Sequence, residues 1–192
     1  SIFNVAVVCF LFMFIFAIVG VNMFKGKLDA CQGDGFDDLS EEKQDLITTP
    51  KESWKKFSVN QMQLIEEEGC TEEKLNKLMR NRDRSPSYLT SQDLCICMLG
   101  SNSWDNVVNG LHFDNVLTAM ATLYEISTTE GWVDVMYAAI DGVGPYMQPQ
   151  RDYDRGAIIY FIIFMLFGAF FVMQLFVGVI IERFNAIREE NI

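Results

Sequence analysis

Residues 157–181 read AIIYFIIFMLFGAFFVMQLFVGVII and contain no Asp, Glu, Lys or Arg. A second uncharged run, SIFNVAVVCFLFMFIFAIVGVNMF, occupies residues 1–24. Each run exceeds the roughly 20 apolar residues that a helix needs to cross a bilayer. The sequence therefore predicts two membrane-crossing helices. All charged side chains lie outside them, in 25–156 and 182–192.

The composition narrows the class of protein further. The chain has 192 residues, 50% of them hydrophobic, and its 15 basic and 26 acidic side chains leave a formal net charge of −11. An acidic chain is a poor nucleic-acid binder, since such a partner requires a basic surface, but it suits a surface that gathers cations. The sole His112 has no nucleophile beside it and there is no nucleotide-binding glycine loop, so we expect neither enzyme activity nor a cofactor.

The start of the chain lacks two features of a signal peptide: no charged segment precedes the first apolar run, and no small-residue cleavage pattern follows it. The chain also has no initiating Met. We therefore expect it to be a piece of a longer polypeptide.

Four of the five cysteines, Cys31, Cys70, Cys95 and Cys97, lie in the polar middle of the chain. An even number of cysteines between two membrane spans favours disulfides on the oxidising side, and four cysteines allow three pairings. We consider Cys31–Cys70 with Cys95–Cys97 first and leave other pairings open. Metal binding is the weaker alternative, because the spacing fits no zinc pattern. Disulfides would make the middle extracellular and both chain ends cytoplasmic, in a multi-pass protein of the plasma membrane.

Residues 113–141 differ from the polar segment before them. The stretch FDNVLTAMATLYEIST offers Asp114 as a helix cap and continues as a mostly apolar helix of about 15 residues, which is too short to cross a membrane. A polar turn, TTEGW, and a second short helical stretch, VDVMYAAID, follow. A short apolar helix beside spanning helices is a candidate re-entrant element.

The order span, short helix, polar turn, short helix, span is expected of a tetrameric cation-channel pore. A helix that ends within a membrane must end in protein or water, because its last carbonyls lack partners. Those carbonyls carry the negative end of the helix dipole and favour a cation beyond them. Glu130 lies in the turn directly after this helix end. The hydration shell of an ion could be replaced there by the Glu130 carboxylate and by the carbonyls of Thr128 and Thr129. The alternative for Glu130 is a solvated loop carboxylate.

Four stretches in this order resemble the pore module of four-domain voltage-gated sodium and calcium channels, most closely the third domain of the sodium-channel branch. They are SIFNVAVVC with IVGVNMFKGK, WDNV with FDNV, TTEGWVDVMYAAID, and FGAFFVMQLFVGVIIERFN. The resemblance implies an all-α membrane protein, in which two transmembrane helices flank a re-entrant pore helix, filter and second pore helix in a tetrameric or pseudo-tetrameric pore.

On this reading the chain divides into five segments. They are an outer transmembrane helix (1–24), an extracellular turret loop (25–112), the pore helix, selectivity filter and second pore helix (113–141), an extracellular linker (142–156), and an inner pore-lining helix with a cytoplasmic extension (157–192).

The resemblance also implies roles in the filter for Thr128, Thr129, Glu130, Gly131 and Trp132. Glu130 would be one member of a ring of four residues and a transient site for the permeant cation, while Thr128 and Thr129 would supply a carbonyl layer. Trp132 would anchor the filter by packing and by its indole N–H, or else be a membrane-interface residue.

Two aspartates, Asp134 and Asp141, would line the outer vestibule according to the same resemblance. Either of them is alternatively a plain exposed residue of the second pore helix.

Glu130 departs from the sodium-channel pattern, because the third domain of that branch typically has Lys there. At about 5 Å and an effective dielectric near 20, each pair of unit charges interacts by on the order of 3 kcal/mol, and a divalent ion doubles this. We therefore expect a pore that admits Ca²⁺ or discriminates poorly between Ca²⁺ and Na⁺. Four neighbouring carboxylates would also titrate together, so protons should block the pore.

On the inner helix, Gln174 replaces the Asn common in the family, and we expect it to pack against a neighbouring helix or to take part in gating. Apolar residues at helical spacing near its cytoplasmic end are candidates for a constriction that closes by dewetting, with lipid-facing surface as the alternative. They are Val177, Ile180, Ile181 and Phe184.

A single filter segment supplies only a quarter of a ring, so the expected partners are three other pore domains, on the same polypeptide, and membrane lipid. The chain has no run of Arg at every third position, so voltage-sensor domains would lie outside it. Auxiliary subunits on the turret are a further expectation. Two alternatives stay open: a two-span subunit that forms homotetramers, and a membrane-anchored, disulfide-stapled extracellular binding domain.

Overall fold

The computed structural model describes residues 2–50, 53–81 and 88–190. In chain order its elements are α1 (Ile2–Phe24), β1 (Asp29–Cys31), α2 (Asp34–Asp37), α3 (Glu41–Thr48), a 3₁₀ turn (Trp54–Lys56), α4 (Val59–Glu67), α5 (Glu72–Asn81), α6 (Ser91–Leu99), a second 3₁₀ turn (Ser101–Ser103), β2 (Trp104–Asn106), α7 (Val116–Ser127), α8 (Trp132–Asp141) and α9 (Ala157–Glu190). Helices dominate, in agreement with the predicted all-α class. The contacts divide the chain into two compact units.

The first unit contains residues 1–25, 111–140 and 155–192. Helices α1 and α9 occupy the two uncharged runs, and α9 continues as one helix of 34 residues, about 51 Å long at 1.5 Å per residue. Among the residues that the structure describes, Ala6–Phe24 is the one stretch long and apolar enough to span a membrane by length and composition, and Val116–Ser127 and Ala157–Gly168 are shorter apolar helices.

Aromatic side chains join α1 to α9 and to the residue that leads into α7. Phe24 meets Phe113 and Phe161 with ring centroids 5.4 Å apart in each case, and all three rings are at most 1% exposed. Aromatic pairs at this separation add stability beyond the area they bury. Gly20 makes this packing possible, because a Cβ there would lie 2.7 Å from Cδ1 of Phe113.

The second unit contains residues 26–110 and 141–154 and corresponds to the predicted turret with most of the linker. Strands β1 and β2 form an antiparallel ribbon with Ala30 opposite Asp105. The helices α3, α4, α5 and α6 bury an apolar core that includes Ile47, Ile65, Leu75, Leu89 and Leu94. Helix α5 begins directly after Thr71, whose hydroxyl accepts a hydrogen bond from the Lys74 N–H.

All four turret cysteines form disulfides, Cys31 with Cys95 and Cys70 with Cys97. The pairing considered first, Cys31–Cys70 with Cys95–Cys97, is therefore wrong. Cys95 and Cys97 are two residues apart on α6, and side chains at that spacing do not face each other on a helix. Each of them therefore reaches a different neighbouring segment.

Gln148 holds the linker of this unit against β1. Its side-chain oxygen accepts a hydrogen bond from the Cys31 N–H at 2.7 Å, and its side-chain nitrogen donates to the Cys31 carbonyl at 3.1 Å. The amide thus takes the place of a neighbouring strand along this edge of the ribbon. Gln148 is buried, so both bonds replace hydrogen bonds that water would otherwise make.

Candidate functional site

Helix α7 is the element that leads to the candidate filter. Its cap is Asn115, whose side-chain oxygen accepts a hydrogen bond from the Thr118 N–H at 3.0 Å. The prediction of Asp114 as the cap is therefore wrong by one residue. The Asp114 carboxylate instead lies 3.2 Å from Nδ1 of His112.

One face of α7 packs against α1. This face contains Ala119, Leu123 and Ile126, none of which is exposed. The buried Thr122 lies on it too, and its hydroxyl donates to the His112 carbonyl and accepts from the His112 N–H. Sequence reasoning missed this bond, since a threonine ten residues after a histidine carries no recognisable local signal. The bond ties the segment before α7 to the helix and fixes where the helix begins.

The candidate filter is the four-residue turn Thr128–Gly131 between α7 and α8. The N–H groups of Thr128 and Thr129 donate to the carbonyls of Glu125 and Ile126, each at 3.0 Å, and so close the end of α7. On the other side, the Gly131 carbonyl accepts the N–H groups of Asp134 and Val135 and begins α8. Gly131 has a φ of +64°, a left-handed conformation that glycine adopts without steric cost.

The turn presents backbone oxygen atoms that are unengaged among the residues that the structure describes. Thr128, Thr129, Glu130 and Gly131 are all exposed. The carbonyls of Thr128 and Thr129 accept no hydrogen bond from residues 2–50, 53–81 or 88–190. Residues 113–141 contain five carboxylates and no Lys or Arg. The end of α7 is therefore an electronegative surface with unengaged oxygen ligands, as a site for a hard cation requires.

Trp132, the first residue of α8, is half-buried. Its indole N–H makes no hydrogen bond to another residue within the described part of the chain. Its predicted role as an anchor of the filter therefore stays a prediction.

The two predicted vestibule residues differ in their surroundings. Asp134 is exposed in the first turn of α8, where a carboxylate is favourable to the helix dipole. Asp141 ends α8, and its carboxylate and carbonyl accept hydrogen bonds from the N–H groups of Asp152 and Gln150, each at 2.8 Å. Asp141 thus holds the linker loop in place, and its vestibule role stays a prediction.

The candidate gate residues lie on the part of α9 beyond Gly168. Their side chains are exposed, including Phe184 at 68%, and exposure alone does not separate a pore-lining face from a lipid-facing one. The gating roles therefore stay predictions. The residues concerned are Gln174, Val177, Ile180, Ile181 and Phe184.

Comparison with known proteins gives a family match over almost the whole chain: residues 1–191 match the ion transport protein family. The chain is 34% identical over 185 residues to the human sodium channel protein type 5 subunit alpha, and 34% identical over 188 residues to the human type 8 subunit alpha. It is 32% identical over 189 residues to the sodium channel protein type 4 subunit alpha B of Takifugu rubripes. Each alignment covers 96% of this chain but only 7% or 8% of the relative, so the chain spans a small part of their length.

Proposed function

This chain belongs to the ion transport protein family, and on that premise we propose that it is one pore-forming segment of a voltage-gated cation channel. The observation that carries the proposal is the exposed turn Thr128–Gly131, in which Glu130 follows the unengaged carbonyl end of a short apolar helix. Such an arrangement attracts cations and offers them oxygen ligands. Membership of a transport family also agrees with the expectation that the chain is not an enzyme.

In the proposed arrangement α1 and α9 cross the plasma membrane, while α7 and α8 enter it from outside and return. The turret is extracellular and both ends are cytoplasmic. The two turret disulfides support this orientation, because disulfides persist on the oxidising side of a membrane. The domain bounds proposed from the sequence, 1–24, 25–112, 113–141, 142–156 and 157–192, describe these segments.

Four such segments surround one ion path, and each supplies one filter turn. The similar sodium-channel subunits are many times longer than this chain, which supports three further pore domains and the voltage sensors on the same polypeptide rather than a homotetramer of two-span subunits. The family match likewise favours a channel over a membrane-anchored binding domain. Lipid surrounds the exposed apolar side chains of α1 and α9, and auxiliary subunits on the turret are a further part of the proposal.

Glu130 is the residue of this segment that faces the permeant ion. The sodium-channel relatives support Na⁺ as a permeant ion. We add that Ca²⁺ also enters, because a carboxylate attracts a divalent cation more strongly than a monovalent one. A Lys in place of Glu130 would repel both ions.

The experiment is ion replacement in cells that express the polypeptide containing this chain, with permeability ratios taken from reversal potentials. Glu130→Lys should lower Ca²⁺ permeability relative to Na⁺ by at least about tenfold, because it replaces an attraction by a repulsion, and one unit-charge interaction of on the order of 3 kcal/mol corresponds to more than one decade. The matched control is Glu72→Gln, which removes an exposed carboxylate from the turret helix α5. This variant should leave the ratio of Ca²⁺ to Na⁺ permeability unchanged. Equal permeability ratios in the parent channel and Glu130→Lys would contradict the proposal.

A further inference from the structure

Glu125 carries a negative charge at an unfavourable position of α7. It lies in the last turn of the helix, which ends at Ser127, and it is exposed. The C-terminus of a helix is the negative end of its dipole, so a carboxylate destabilises that end and a cation stabilises it. The sequence of α7 therefore contains a charge that does not favour the helix itself.

Within the described part of the chain, no positive group pairs with the Glu125 carboxylate. Its side chain makes no hydrogen bond or ion pair with any other residue in 2–50, 53–81 or 88–190. Residues 113–141 contain no Lys or Arg. A cation that compensates the charge of Glu125 therefore comes from outside the described residues.

Thr128 connects Glu125 to the candidate filter. Its N–H and its hydroxyl both donate to the Glu125 carbonyl, at 3.0 Å and 2.6 Å. Side chains three residues apart are neighbours on one face of a helix, and both of these residues are exposed. Leu123 and Ile126, on the face that packs against α1, are buried. The Glu125 carboxylate therefore lies on the side of α7 that leads into the turn Thr128–Gly131.

The proposed position of α7 within the membrane limits what this carboxylate faces. An ionised side chain in contact with hydrocarbon is costly, so acidic residues at membrane depth face a water-filled path or pair with another polar group. The path is favoured here, because the neighbouring Thr128 belongs to the turn whose carbonyls are unengaged among the described residues. Pairing with a cationic group of an adjacent pore segment is the alternative that the experiment separates.

We propose that Glu125 is a specificity-determining residue of the ion path, whose charge raises the cation concentration beside the filter and favours divalent over monovalent cations. This inference rests on the proposed function, because it adds a second charge to the same path. At the dielectric constant of water, a unit charge about 10 Å away raises the local concentration of a monovalent cation about twofold and that of a divalent cation about fourfold. Glu125 thus acts through its charge and not as a ligand.

Glu125→Gln, in the polypeptide that contains this chain, removes the charge and keeps the size of the side chain. The Na⁺ conductance of single channels should fall about twofold at about 0.01 M salt, where the screening length is about 30 Å. It should equal that of the parent at about 1 M salt, where the screening length is about 3 Å. The ratio of Ca²⁺ to Na⁺ permeability from reversal potentials should also fall about twofold. Glu125→Asp keeps the charge and is the matched control, with parent values expected in every measurement.

Glu125→Cys tests the same charge by chemical modification from the aqueous phase. A negatively charged, water-soluble thiol reagent should restore the parent conductance at low salt, and a positively charged one should lower the conductance further. The parent polypeptide, treated with the same reagents, is the control for its other cysteines. Glu130→Lys, with the ratio of Ca²⁺ to Na⁺ permeability as its readout, reports separately on whether the turn faces the ion path.

Three results would overturn the inference while the proposed function stands, given that Glu130→Lys lowers the permeability ratio. One is the parent conductance at low salt in Glu125→Gln. Another is a loss of conductance of equal size at low and high salt, which would indicate a structural role. The third is loss of surface expression in both Glu125→Gln and Glu125→Cys with normal expression of Glu125→Asp, which would indicate an ion pair with an adjacent segment. An unchanged ratio in Glu130→Lys would instead overturn the proposed filter, and the role of Glu125 with it.

Discussion

The hydroxyl of Tyr160 on α9 donates a hydrogen bond to the backbone carbonyl of Phe16 on α1, with an oxygen–oxygen distance of 2.8 Å. The same carbonyl is the α-helical acceptor for the N–H of Gly20, one turn later. A Cβ on Gly20 would lie 2.6 Å from the Tyr160 hydroxyl oxygen, so the absence of a side chain there leaves room for the phenol. The two long helices are therefore joined by a polar contact that depends on a glycine.

Gly20→Ala should disrupt the contact between α1 and α9. The new methyl group would meet both the Tyr160 hydroxyl and the Phe113 ring at less than 3 Å. Overpacking of this kind typically costs about 1–3 kcal/mol. Thermal aggregation of the detergent-solubilised protein should begin at a lower temperature than in the parent.

Gly168→Ala is the matched control for that substitution, because the nearest atom to a Cβ there would be in the Phe164 ring, at 3.3 Å. Its effect on the aggregation temperature should be clearly smaller. Equal shifts in the two variants would contradict the close approach at Gly20.

Tyr160→Phe should remove the hydrogen bond and keep the aromatic packing with Phe16 and Phe24. Hydrogen bonds between helices in membrane proteins average about 0.6 kcal/mol, so the expected loss is small but measurable. Tyr137→Phe removes the hydroxyl of a tyrosine that is 54% exposed and serves as the control. If Tyr137→Phe lowered the unfolding temperature more than Tyr160→Phe did, the hydrogen bond would not contribute as we expect.

The disulfide connectivity can be read directly by peptide mapping under non-reducing conditions. We expect linked peptides that contain Cys31 with Cys95 and Cys70 with Cys97. Replacement of Cys70 by Ser should destabilise the turret by about 2–5 kcal/mol, the usual cost of losing a native disulfide. Cys9 is a free cysteine, so Cys9→Ala should leave the map unchanged. A peptide that links Cys31 to Cys70 would disprove the pairing.

The ion pair of Lys43 in α3 should make the turret less stable as the pH rises in alkaline solution. The hydrogen bond to the Glu68 carboxylate, 2.6 Å away, raises the pKa of Lys43 above its ordinary value of 10.5, and Glu67 at 3.4 Å adds to this. A raised pKa stabilises the folded state at pH values below the unfolded pKa, and this stabilisation is lost as the pH rises through the folded pKa.

Lys43→Met should therefore unfold at a lower temperature than the parent at pH 7, and the difference between the two should shrink above pH 10.5. Lys55→Met, which replaces an exposed lysine of the same unit, is the control. A difference that grows with pH would contradict the assignment.

The local features of this chain could be predicted from the sequence. The absence of charge in residues 1–24 and 157–181 predicts long apolar helices, because no charged side chain interrupts either run, and α1 and α9 form there. The Thr128–Trp132 stretch predicts a break between two short helices, since a threonine pair and a glycine do not favour a continuous helix. Four cysteines in the polar middle predict disulfides, and all four form them.

The tertiary structure alone decided the features that depend on residues far apart in the chain. Cys31 bonds to Cys95 because packing of β1 beside α6 brings them together, and the count of cysteines cannot distinguish this pairing from the others. Tyr160 reaches Phe16 across 144 positions, and Thr129 is left-handed because hydrogen bonds close α7 just before it and open α8 just after it. Helical propensity and hydrophobic pattern act over a few residues, whereas disulfide pairing, helix contacts and forced backbone conformations depend on how whole elements pack.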